Sequence, residues 1–291
     1  MKCIICGNIE SDVLLPTGKA QSKSVLKCGN CKLMFLDNAD DYSDLERLRE
    51  FENSELPAIT EQYAEKQISQ ISDYSNIADF IFLKKKDSAK ILEIGSNTGA
   101  FLNFLKNKGF DATGLEPNKN AVEYAKQNFG LNLINSDLLS AKFKDSEFDA
   151  VIMLHVIEHL KNPNIELSEI KRILKPDGLL IIETPSFDSM IFKILKSRER
   201  SIRCKGHLFF FTPDTLEKLL VKNGFEKMRL DYTGRTLTLE RFIHNIGIIS
   251  GSQKLKIIIL KTAEFLGLKK IKFKINLKDM QRIYAKNTKR I

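Results

Sequence analysis

The sequence predicts an α/β protein with a mostly parallel sheet and a small cysteine-rich module in front of it. Three observations lead to this prediction: strand-like and helix-like segments alternate from residue 90 to residue 223, a turn bounded by two glycines follows the first strand, and two Cys-x-x-C pairs lie near the amino terminus. A chain of 291 residues is long for one domain and short for two full ones. We therefore expect one main domain with small additions, large enough to bury a sizeable core.

The alternating segments fit a parallel sheet that helices cover on both faces, with ligands at the carboxyl ends of the strands. Residues 175–178, Lys-Pro-Asp-Gly, stop the third predicted helix and turn the chain into the fifth strand. The predicted strands are Ile91–Ile94, Ala112–Leu115, Asn132–Ile134, Ala150–Leu154 and Leu179–Glu183. The predicted helices are Ala100–Lys108, Lys119–Phe129, Ile165–Leu174 and Asp214–Asn223.

The glycine-bounded turn is the most informative stretch. The apolar strand Ile91–Ile94 runs directly into a turn that Gly95 and Gly99 delimit, and a helix follows at once. Glycine has no Cβ, so the backbone N–H groups of such a turn can approach a ligand closely. Glu93 adds a carboxylate at the end of the strand. The pattern predicts a ligand site at this turn.

A second acid, Glu116, follows the second strand and lies twenty-one residues past Gly95. An acid at that distance, at the tip of the next strand, suits a ribose diol. The turn lacks the Gly-x-Gly-x-x-Gly pattern of dinucleotide folds, since Asn97 stands where the middle glycine would be. The pattern therefore disfavours NAD.

Together these motifs resemble the class I S-adenosylmethionine-dependent methyltransferases. The run from Glu93 to Gly99 matches the first motif of that family, and Glu116 matches the second. Asp137 matches an acid after the third strand that meets the adenine, and the strand Phe148–Leu154 ends in the core of the site. The four motifs occur in order over roughly half the chain, and the alternative is an unrelated Rossmann-like domain.

The resemblance implies a Rossmann-like, seven-stranded, mostly parallel sheet and S-adenosylmethionine as cofactor. The residues that it places at the cofactor are Glu93, Gly95, Ser96, Asn97, Gly99, Glu116, Pro117, Asp137, Leu138 and Leu154.

The cysteines predict a zinc ribbon before the catalytic domain. Cys3 and Cys6 form one Cys-x-x-C pair, and Cys28 and Cys31 form a second, with 21 residues between the pairs. Two such pairs bring four thiolates to tetrahedral geometry around one zinc, and in a cytosolic protein the disulfide alternative is disfavoured. Cys204 remains as an isolated thiol.

The segment 38–86 reads as an acidic linker followed by a helix over 61–83. Apolar residues spaced along that helix give it one buried side: Ile68, Ile71, Ile77, Ala78 and Ile81. The resemblance implies that this helix packs beside the cofactor and partly covers it. Tyr63 is a candidate cofactor contact, with a surface aromatic as the alternative.

The stretch from His155 to His159 matches the H-x-x-E-H pattern of inverzincin metalloproteases. A zinc protease would need both histidines on one face of a stable helix and a further ligand, whereas this stretch follows the fourth strand directly. We therefore favour the methyltransferase interpretation, which puts His155 near the methyl group and gives Glu158 and His159 a structural role.

A second histidine, His207, lies in the loop where the resemblance implies substrate binding. A histidine with a near-neutral pKa can take a proton from a hydroxyl during methyl transfer; the alternative is that His207 only orders the loop. Thr212 is placed to cap a helix that begins at Pro213, and the intervening aromatics shape a lid or a core.

The residues after the fourth strand also restrict the acceptor. Met153, Leu154 and His155 stand where enzymes that methylate exocyclic base amines carry Asn/Asp-Pro-Pro-Tyr/Phe. The sequence therefore argues against that chemistry and leaves O-, C- and some N-methylation open.

The positive charge is concentrated in the last part of the chain. The net charge is +9, and residues 241–291 alone carry +11, which leaves −2 for the other 240 residues. The segment 255–268 is dense in apolar residues, and Lys254, Lys261 and Glu264 gather on one helical side although Lys256 falls elsewhere. A basic amphipathic segment of this kind suits an anionic membrane surface. A packed insertion or a dimer contact is the alternative. Lys270–Ile275 alternates as a strand does, and Met280–Lys286 resembles the family's final antiparallel strand.

We therefore predict a zinc ribbon at 1–37, a linker and lid helix at 38–86, a methyltransferase domain at 87–235 and 280–291, and a basic amphipathic insertion at 236–279. The expected reaction is methyl transfer to a small or glycan-type acceptor, such as a lipid- or nucleotide-linked sugar. An RNA methyltransferase is the runner-up although nucleic acid is disfavoured as a partner, and a non-catalytic cofactor-binding module is the third reading. Neither a signal peptide nor a membrane span is evident, so we expect a cytoplasmic or membrane-peripheral protein.

Overall fold

The amino-terminal module is a small antiparallel sheet. This computed structural model describes residues 2–17, 23–37, 61–85, 88–204, 206–238 and 271–288. The first three strands are β1 (Ser11–Leu15), β2 (Val25–Cys28) and β3 (Met34–Leu36), which pair in sequence order. Cys3 and Cys6 lie in and beside a turn ahead of β1, whereas Cys28 is the last residue of β2 and Cys31 lies in the turn between β2 and β3.

The helix predicted over 61–83 is interrupted. It consists of α1 (Glu61–Gln70), a 3-10 turn (Ile71–Tyr74) and α2 (Ser75–Lys85). The interrupting turn makes a tertiary contact: the Asp73 carboxylate accepts hydrogen bonds from the backbone N and the Oγ1 of Thr236, both at 3.0 Å. Periodicity alone carries no information about such a long-range contact.

The main domain is built on a central sheet of six strands. Four of them are parallel neighbours: β4 (Lys90–Ile94), β5 (Asp111–Leu115), β6 (Phe148–Leu154) and β7 (Leu174–Pro185). The helices that alternate with them are α3 (Ala100–Asn107), α4 (Lys119–Phe129) and α5 (Pro163–Ile173). This alternation confirms the predicted α/β class.

The third predicted strand, Asn132–Ile134, is only a single bridge in the structure. Ile134 pairs with Leu115 in parallel, and its backbone N donates to the Gly114 carbonyl at 2.9 Å. Among the described residues the central sheet therefore has six strands rather than seven.

The turn predicted at 175–178 is a bulge within β7 rather than a separate connection. Phe148 pairs with Leu174 and Ala150 pairs with Leu179, so the residues between Leu174 and Leu179 leave the ladder. Asp177 takes a φ of +56° there. The helix stop was placed correctly, since α5 ends at Ile173, but the strand begins directly after it.

Two antiparallel strands complete the central sheet. They are β9 (Phe225–Tyr232) and β12 (Met280–Asn287), and β12 lies between β7 and β9, so the sheet order is β5-β4-β6-β7-β12-β9. The predicted final strand is therefore confirmed.

The ends of the predicted insertion also pair, as β10 (Arg235–Thr238) with β11 (Lys272–Ile275). The strand expected in Lys270–Ile275 is thus present. The amphipathic segment 255–268 lies outside the described residues. No helix in the described ranges is long and apolar enough to cross a membrane.

The core lies on both faces of the central sheet. Successive residues of a strand belong to two different buried clusters. Ile91 of β4 and Ile181 of β7 lie in one cluster, and their neighbours Leu92 and Ile182 lie in the other. A strand presents successive side chains to opposite faces, so the sheet is covered on both. The cluster that contains Leu92 and Ile182 also includes the apolar interior of the cysteine-rich module.

A two-residue strand, β8 (Phe209–Phe210), joins the module to the main domain. It pairs with Met34 and Phe35 of β3 and becomes the fourth strand of the small sheet. Both phenylalanines of β8 are fully buried, so they form core rather than a lid.

Two further helices flank β8, α6 (Met190–Leu195) and α7 (Pro213–Lys222). The predicted cap of α7 is present, because Thr212 Oγ1 accepts a hydrogen bond from the Thr215 backbone N at 3.2 Å.

Candidate active site

The glycine turn has the conformation that its sequence predicts. Gly95 and Gly99 both have a φ of +75°, which disfavours residues with a Cβ. A Cβ on Gly95 would lie 2.6 Å from Cγ2 of Val156, and one on Gly99 would lie 2.9 Å from Cδ1 of Leu131. The turn therefore requires glycine at both ends.

Glu116 connects the two predicted cofactor motifs. Its Oε2 accepts a hydrogen bond from the Asn97 backbone N at 2.8 Å, and its Oε1 accepts one from the Asn118 backbone N at 2.9 Å. Burial raises the pKa of this carboxyl, whereas the hydrogen bonds from Asn118 and Asn97 lower it. The carboxylate is thus fixed between the glycine turn and the start of α4. Its contact with a ribose stays a prediction.

Glu93 lies beneath the turn with 4% of its surface exposed. Burial, the larger cause, and the neighbouring Glu116 carboxylate raise the pKa of Glu93 to about 8, against a lowering effect of Ser96. Its Oε2 has no hydrogen-bond partner within the described ranges. A buried carboxyl with one unsatisfied oxygen suits a polar ligand group at the turn.

The third motif lies beside the tip of β5. Asp137 is exposed, and its carboxylate accepts hydrogen bonds from the backbone N and the Oγ of Ser140, at 2.8 and 2.9 Å. Leu138 is buried. Asn135, which no sequence motif marks, donates from Nδ2 to the carbonyls of Glu116 and Pro117 and so connects this loop to the second motif.

The lid helix lies beside the glycine turn. Thr98, which is fully buried in that turn, donates its hydroxyl to the side-chain oxygen of Gln67 on α1. This contact agrees with the position that the resemblance implied for the helix. The side chain of Tyr63 lies outside the described residues.

His155 stands directly after β6 with a φ of +59°. Its Nδ1 lies 3.5 Å from Glu158 Oε1, and its Nε2 lies 3.5 Å from Glu183 Oε1. Desolvation lowers its pKa, but the two carboxylates outweigh this effect and raise the pKa to about 9. His155 is therefore an imidazolium near neutral pH. It lies outside any helix, which excludes the one-face geometry of a zinc protease.

Sequence analysis also missed a buried ion pair next to His155. Arg282 on β12 is fully buried and donates from Nε to Glu183 Oε2 at 2.8 Å. Burial raises the pKa of Glu183, but Arg282 and His155 outweigh it and hold the pKa at about 2. Arg282 also donates to the Asn76 side chain of α2. An arginine opposite a glutamate in adjacent strands was the available signal, since the two pair in register.

His207 is 6% exposed, so the expectation of a near-neutral pKa is wrong. Burial is the main cause and His159 adds to it, and together they lower the pKa of His207 to about 3. The rings of His159 and His207 meet edge to face, with centroids 4.6 Å apart. A general-base role for His207 or His155 stays a prediction.

The four amino-terminal cysteines converge. Cys3 Sγ lies 3.3 Å from Cys31 Sγ, and Cys6 Sγ lies 3.6 Å from Cys28 Sγ. All four sulfurs lie within 4.8 Å of one another, and none is in a disulfide. Cys204 is exposed and outside this cluster.

The profile of a family described as a methyltransferase domain matches residues 63–230, more than half of the chain. The chain belongs to the methyltransferase domain family. The resemblance to class I S-adenosylmethionine-dependent methyltransferases is thereby confirmed.

Two proteins with similar sequences carry different descriptions, and each matches only part of this chain. An uncharacterized protein of Methanocaldococcus jannaschii is 28% identical over 143 residues, which cover 49% of this chain and 67% of that protein. The tRNA U34 carboxymethyltransferase of Syntrophotalea carbinolica is 29% identical over 147 residues, 48% of this chain and 45% of that enzyme. The chain thus spans about half to two thirds of the length of these relatives.

A crystal structure of a SAM dependent methyltransferase from Archaeoglobus fulgidus has the same fold. The matched region covers 75% of this chain and 92% of the Archaeoglobus fulgidus chain, with a TM-score of 0.52 and 20% sequence identity.

Proposed function

We propose that this protein transfers a methyl group from S-adenosylmethionine to a hydroxyl-bearing small or glycan-type acceptor, such as a lipid- or nucleotide-linked sugar. The observation that supports cofactor use most directly is the glycine turn joined to Glu116 through the Asn97 N–H. It brings two motifs, separated in sequence, together at the carboxyl ends of β4 and β5.

The residues at the turn offer backbone N–H groups and carboxyl oxygens that the cofactor could use. S-adenosylmethionine supplies a methyl group on a sulfonium that carries its own leaving group. The proposed protein contacts are Glu116 to the ribose hydroxyls, Gly95 and Gly99 along the methionine and ribose, and Asp137 with Leu138 to the adenine. What remains for the protein is to position the acceptor and to exclude water.

The acceptor proposal rests on two features. The end of β6 carries Met153, Leu154 and His155 instead of the motif typical of base-amine methylation. The buried carboxylates of Glu158 and Glu183 hold the more exposed His155 side chain at this edge, and its polar ring suits a hydroxylated acceptor.

The test is methyl transfer from S-adenosylmethionine labelled in its methyl group. Sugar nucleotides, a polyprenyl-linked sugar in vesicles, and unmodified tRNA are offered separately, and labelled product is counted for each. Label in a sugar acceptor supports the proposal. Label in tRNA alone would replace it with RNA methylation, and cofactor binding without turnover on a broad acceptor panel would favour a binding module.

RNA methylation is the second candidate because one relative is named as a tRNA U34 carboxymethyltransferase and residues 241–291 carry a charge of +11. Contacts between basic residues and phosphates release counterions, so affinity for tRNA would fall steeply between low and physiological salt. Vesicle binding without that salt dependence would favour a membrane-linked acceptor and peripheral contact through 236–279.

A catalytic histidine is proposed on the acceptor side. Near neutral pH His155 is protonated and His207 is neutral, so His207, while its lone pair is unoccupied, is the histidine that can remove the hydroxyl proton. If it does so, His207→Ala should lower turnover on the order of 10²-fold or more. For His207→Ala, affinity for the cofactor should be intact, whereas His155→Ala, nearer the methyl group, should disturb both. Normal turnover in His207→Ala would leave that residue an ordering role.

We further propose that Cys3, Cys6, Cys28 and Cys31 hold one structural zinc. The sulfurs already converge, and the turns that carry them are closed by hydrogen bonds from Gly7 N to Cys3 O and from Lys32 N to Cys28 O, at 2.8 and 3.2 Å. Four thiolates fill a tetrahedral zinc site and leave no position for a substrate.

A further inference from the structure

A second group of possible metal ligands lies after β6. Glu158, His159 and His207 each offer one ligand atom, and these atoms lie within 4.8 Å of one another. Glu158 is fully buried, His207 is 6% exposed, and His159 is half-buried. The group is distinct from the cysteine cluster and uses nitrogen and oxygen donors instead of sulfur.

The hydrogen bonds fix which atoms of the two rings can bind an ion. His159 Nδ1 lies 2.9 Å from the Gly206 carbonyl, and because a carbonyl only accepts, Nδ1 carries the hydrogen and Nε2 the lone pair. His207 Nδ1 is buried without a hydrogen-bond partner in the described part of the chain, so this nitrogen is the one with a place for an ion.

The carboxylate is held in the same manner. Glu158 Oε2 accepts the Thr184 hydroxyl at 2.9 Å, while Oε1 has no hydrogen-bond partner among the described residues. His155 Nδ1 is 3.5 Å from Oε1 without hydrogen-bond geometry. Buried polar atoms without partners are rare in folded proteins, and here two of them, one carboxylate oxygen and one imidazole nitrogen, belong to the same cluster.

We propose that Glu158, His159 and His207 form a site for one divalent transition-metal ion, bound by Glu158 Oε1, His159 Nε2 and His207 Nδ1. Metal-binding histidines commonly donate their other ring N–H to a backbone carbonyl, as His159 does to Gly206. Two imidazoles with one carboxylate suit zinc, iron(II) or manganese better than magnesium or calcium. Three protein ligands leave at least one position for water or for an oxygen of the acceptor.

The site is connected by the backbone to the surrounding elements. Leu208 N donates to the Glu158 carbonyl at 2.8 Å, and Leu36 N of the small sheet donates to the Leu208 carbonyl at 2.9 Å. A Cβ on Gly206, whose φ is +84°, would approach His159 Nδ1 to 3.2 Å. These contacts set the loop that carries His207 against the turn that carries Glu158 and His159.

Manganese(II) is the probe that separates this site from the cysteines, because thiolates select zinc and bind manganese poorly. The full-length protein is titrated with Mn²⁺, and the loss of the free-ion electron paramagnetic resonance signal gives stoichiometry and affinity. We expect saturation at about one Mn²⁺ per chain, displacement by Zn²⁺, and nitrogen couplings from imidazole in pulsed spectra of the bound ion. These readouts need neither cofactor nor acceptor.

Glu158→Gln and His207→Gln should each weaken Mn²⁺ binding at least tenfold, whereas His155→Gln, which removes a neighbouring histidine but none of the three ligands, should retain it. Thermal unfolding of each variant checks the fold. Unchanged Mn²⁺ affinity in the two ligand variants would overturn the proposal. Two results on the wild type, which need no variant, would also overturn it. One is a protein that takes up no Mn²⁺ and holds no zinc beyond the cysteine-bound ion, and the other is bound Mn²⁺ without imidazole couplings.

Discussion

At the scale of single residues, Glu116 is the side chain on which the cofactor proposal depends most. It carries two backbone hydrogen bonds from Asn97 and Asn118 and is 7% exposed. Its position at the tip of β5 was predictable from spacing alone. Its hydrogen bond to the backbone of the glycine turn was not predictable, because a hydrogen bond across 19 residues leaves no local pattern in a sequence.

Replacing Glu116 with alanine should weaken binding of S-adenosylmethionine by roughly 1–3 kcal/mol, since ribose hydroxyls would lose their acceptor and the turn would lose its anchor. Calorimetric titration measures this loss. Glu123→Ala, on the exposed side of α4, is the matched control and should bind as the wild type does. Unchanged affinity in Glu116→Ala would remove the ribose assignment.

Glu93 should make stability depend on pH. Its pKa is about 8 in the folded protein, against about 4.3 for an unperturbed glutamate, so the folded state binds the proton more tightly. The protonated carboxyl contributes fully to the free energy of unfolding below the unfolded pKa of about 4.3. This contribution decreases as the pH rises towards the folded pKa and is gone above about 8.

Glu93→Gln keeps a neutral side chain and should lack this dependence. Between pH 5 and pH 8 the wild type should therefore lose stability relative to the variant, on the order of a few kcal/mol. Urea unfolding of both proteins at several pH values gives the difference, with exposed Glu65→Gln as control. A constant difference between wild type and Glu93→Gln across the window would show that Glu93 is ionised in the folded protein.

At the scale of elements, the pairing of β12 with β7 contains a buried ion pair, Arg282 with Glu183, next to His155 on the proposed acceptor side. Arg282 is fully buried and Glu183 is 4% exposed, and their side chains also contact His155 and Asn76. One cross-strand pair thus connects strands β12 and β7 with helix α2. A mismatch at this pair would therefore affect three elements at once.

Arg282→Met should destabilise the protein by about 3–5 kcal/mol, because it leaves the Glu183 carboxylate buried without its main partner. The double variant Arg282→Met with Glu183→Gln should recover part of that loss, since no uncompensated charge remains. Lys218→Met, in an exposed pair with Asp214, is the control and should hardly move the unfolding midpoint. Equal unfolding midpoints for Arg282→Met and the control would show that the buried pair contributes nothing.

At the scale of the whole molecule, the cysteine module and the catalytic domain share one core, and zinc should matter to both. Substitution with cobalt should give thiolate charge-transfer absorption, which arises only at the cysteine site and separates it from the nitrogen and oxygen site. Cys28→Ser should lose this absorption and lower the unfolding temperature, while Cys204→Ser should change neither. Full cobalt-thiolate absorption in Cys28→Ser would exclude the four-cysteine site.

Much of this molecule was predictable because its main signals are local. Strand–turn–helix order, the glycine pair, the acid at the tip of β5 and the cysteine spacing are each encoded within short segments. The break at Ile71–Tyr74 and the reduction of Asn132–Ile134 to one bridge have no counterpart in the local sequence pattern, whereas the turn at 175–178 was predicted and only its place within β7 was not. The burial of His207 was missed for the same reason, because its neighbours come from residues nearly fifty positions away.

The joining of β8 to β3 constrains the order in which this chain can fold. The cysteine-rich segment is synthesised first, but the fourth strand of its sheet, Phe209–Phe210, is made only after most of the catalytic domain. Contacts of such long sequence separation form slowly, because the loop-closure entropy must be overcome before they stabilise anything. During synthesis the newly made module therefore exposes an unpaired edge at β3, which a bound metal ion could hold in shape until Phe209 and Phe210 arrive.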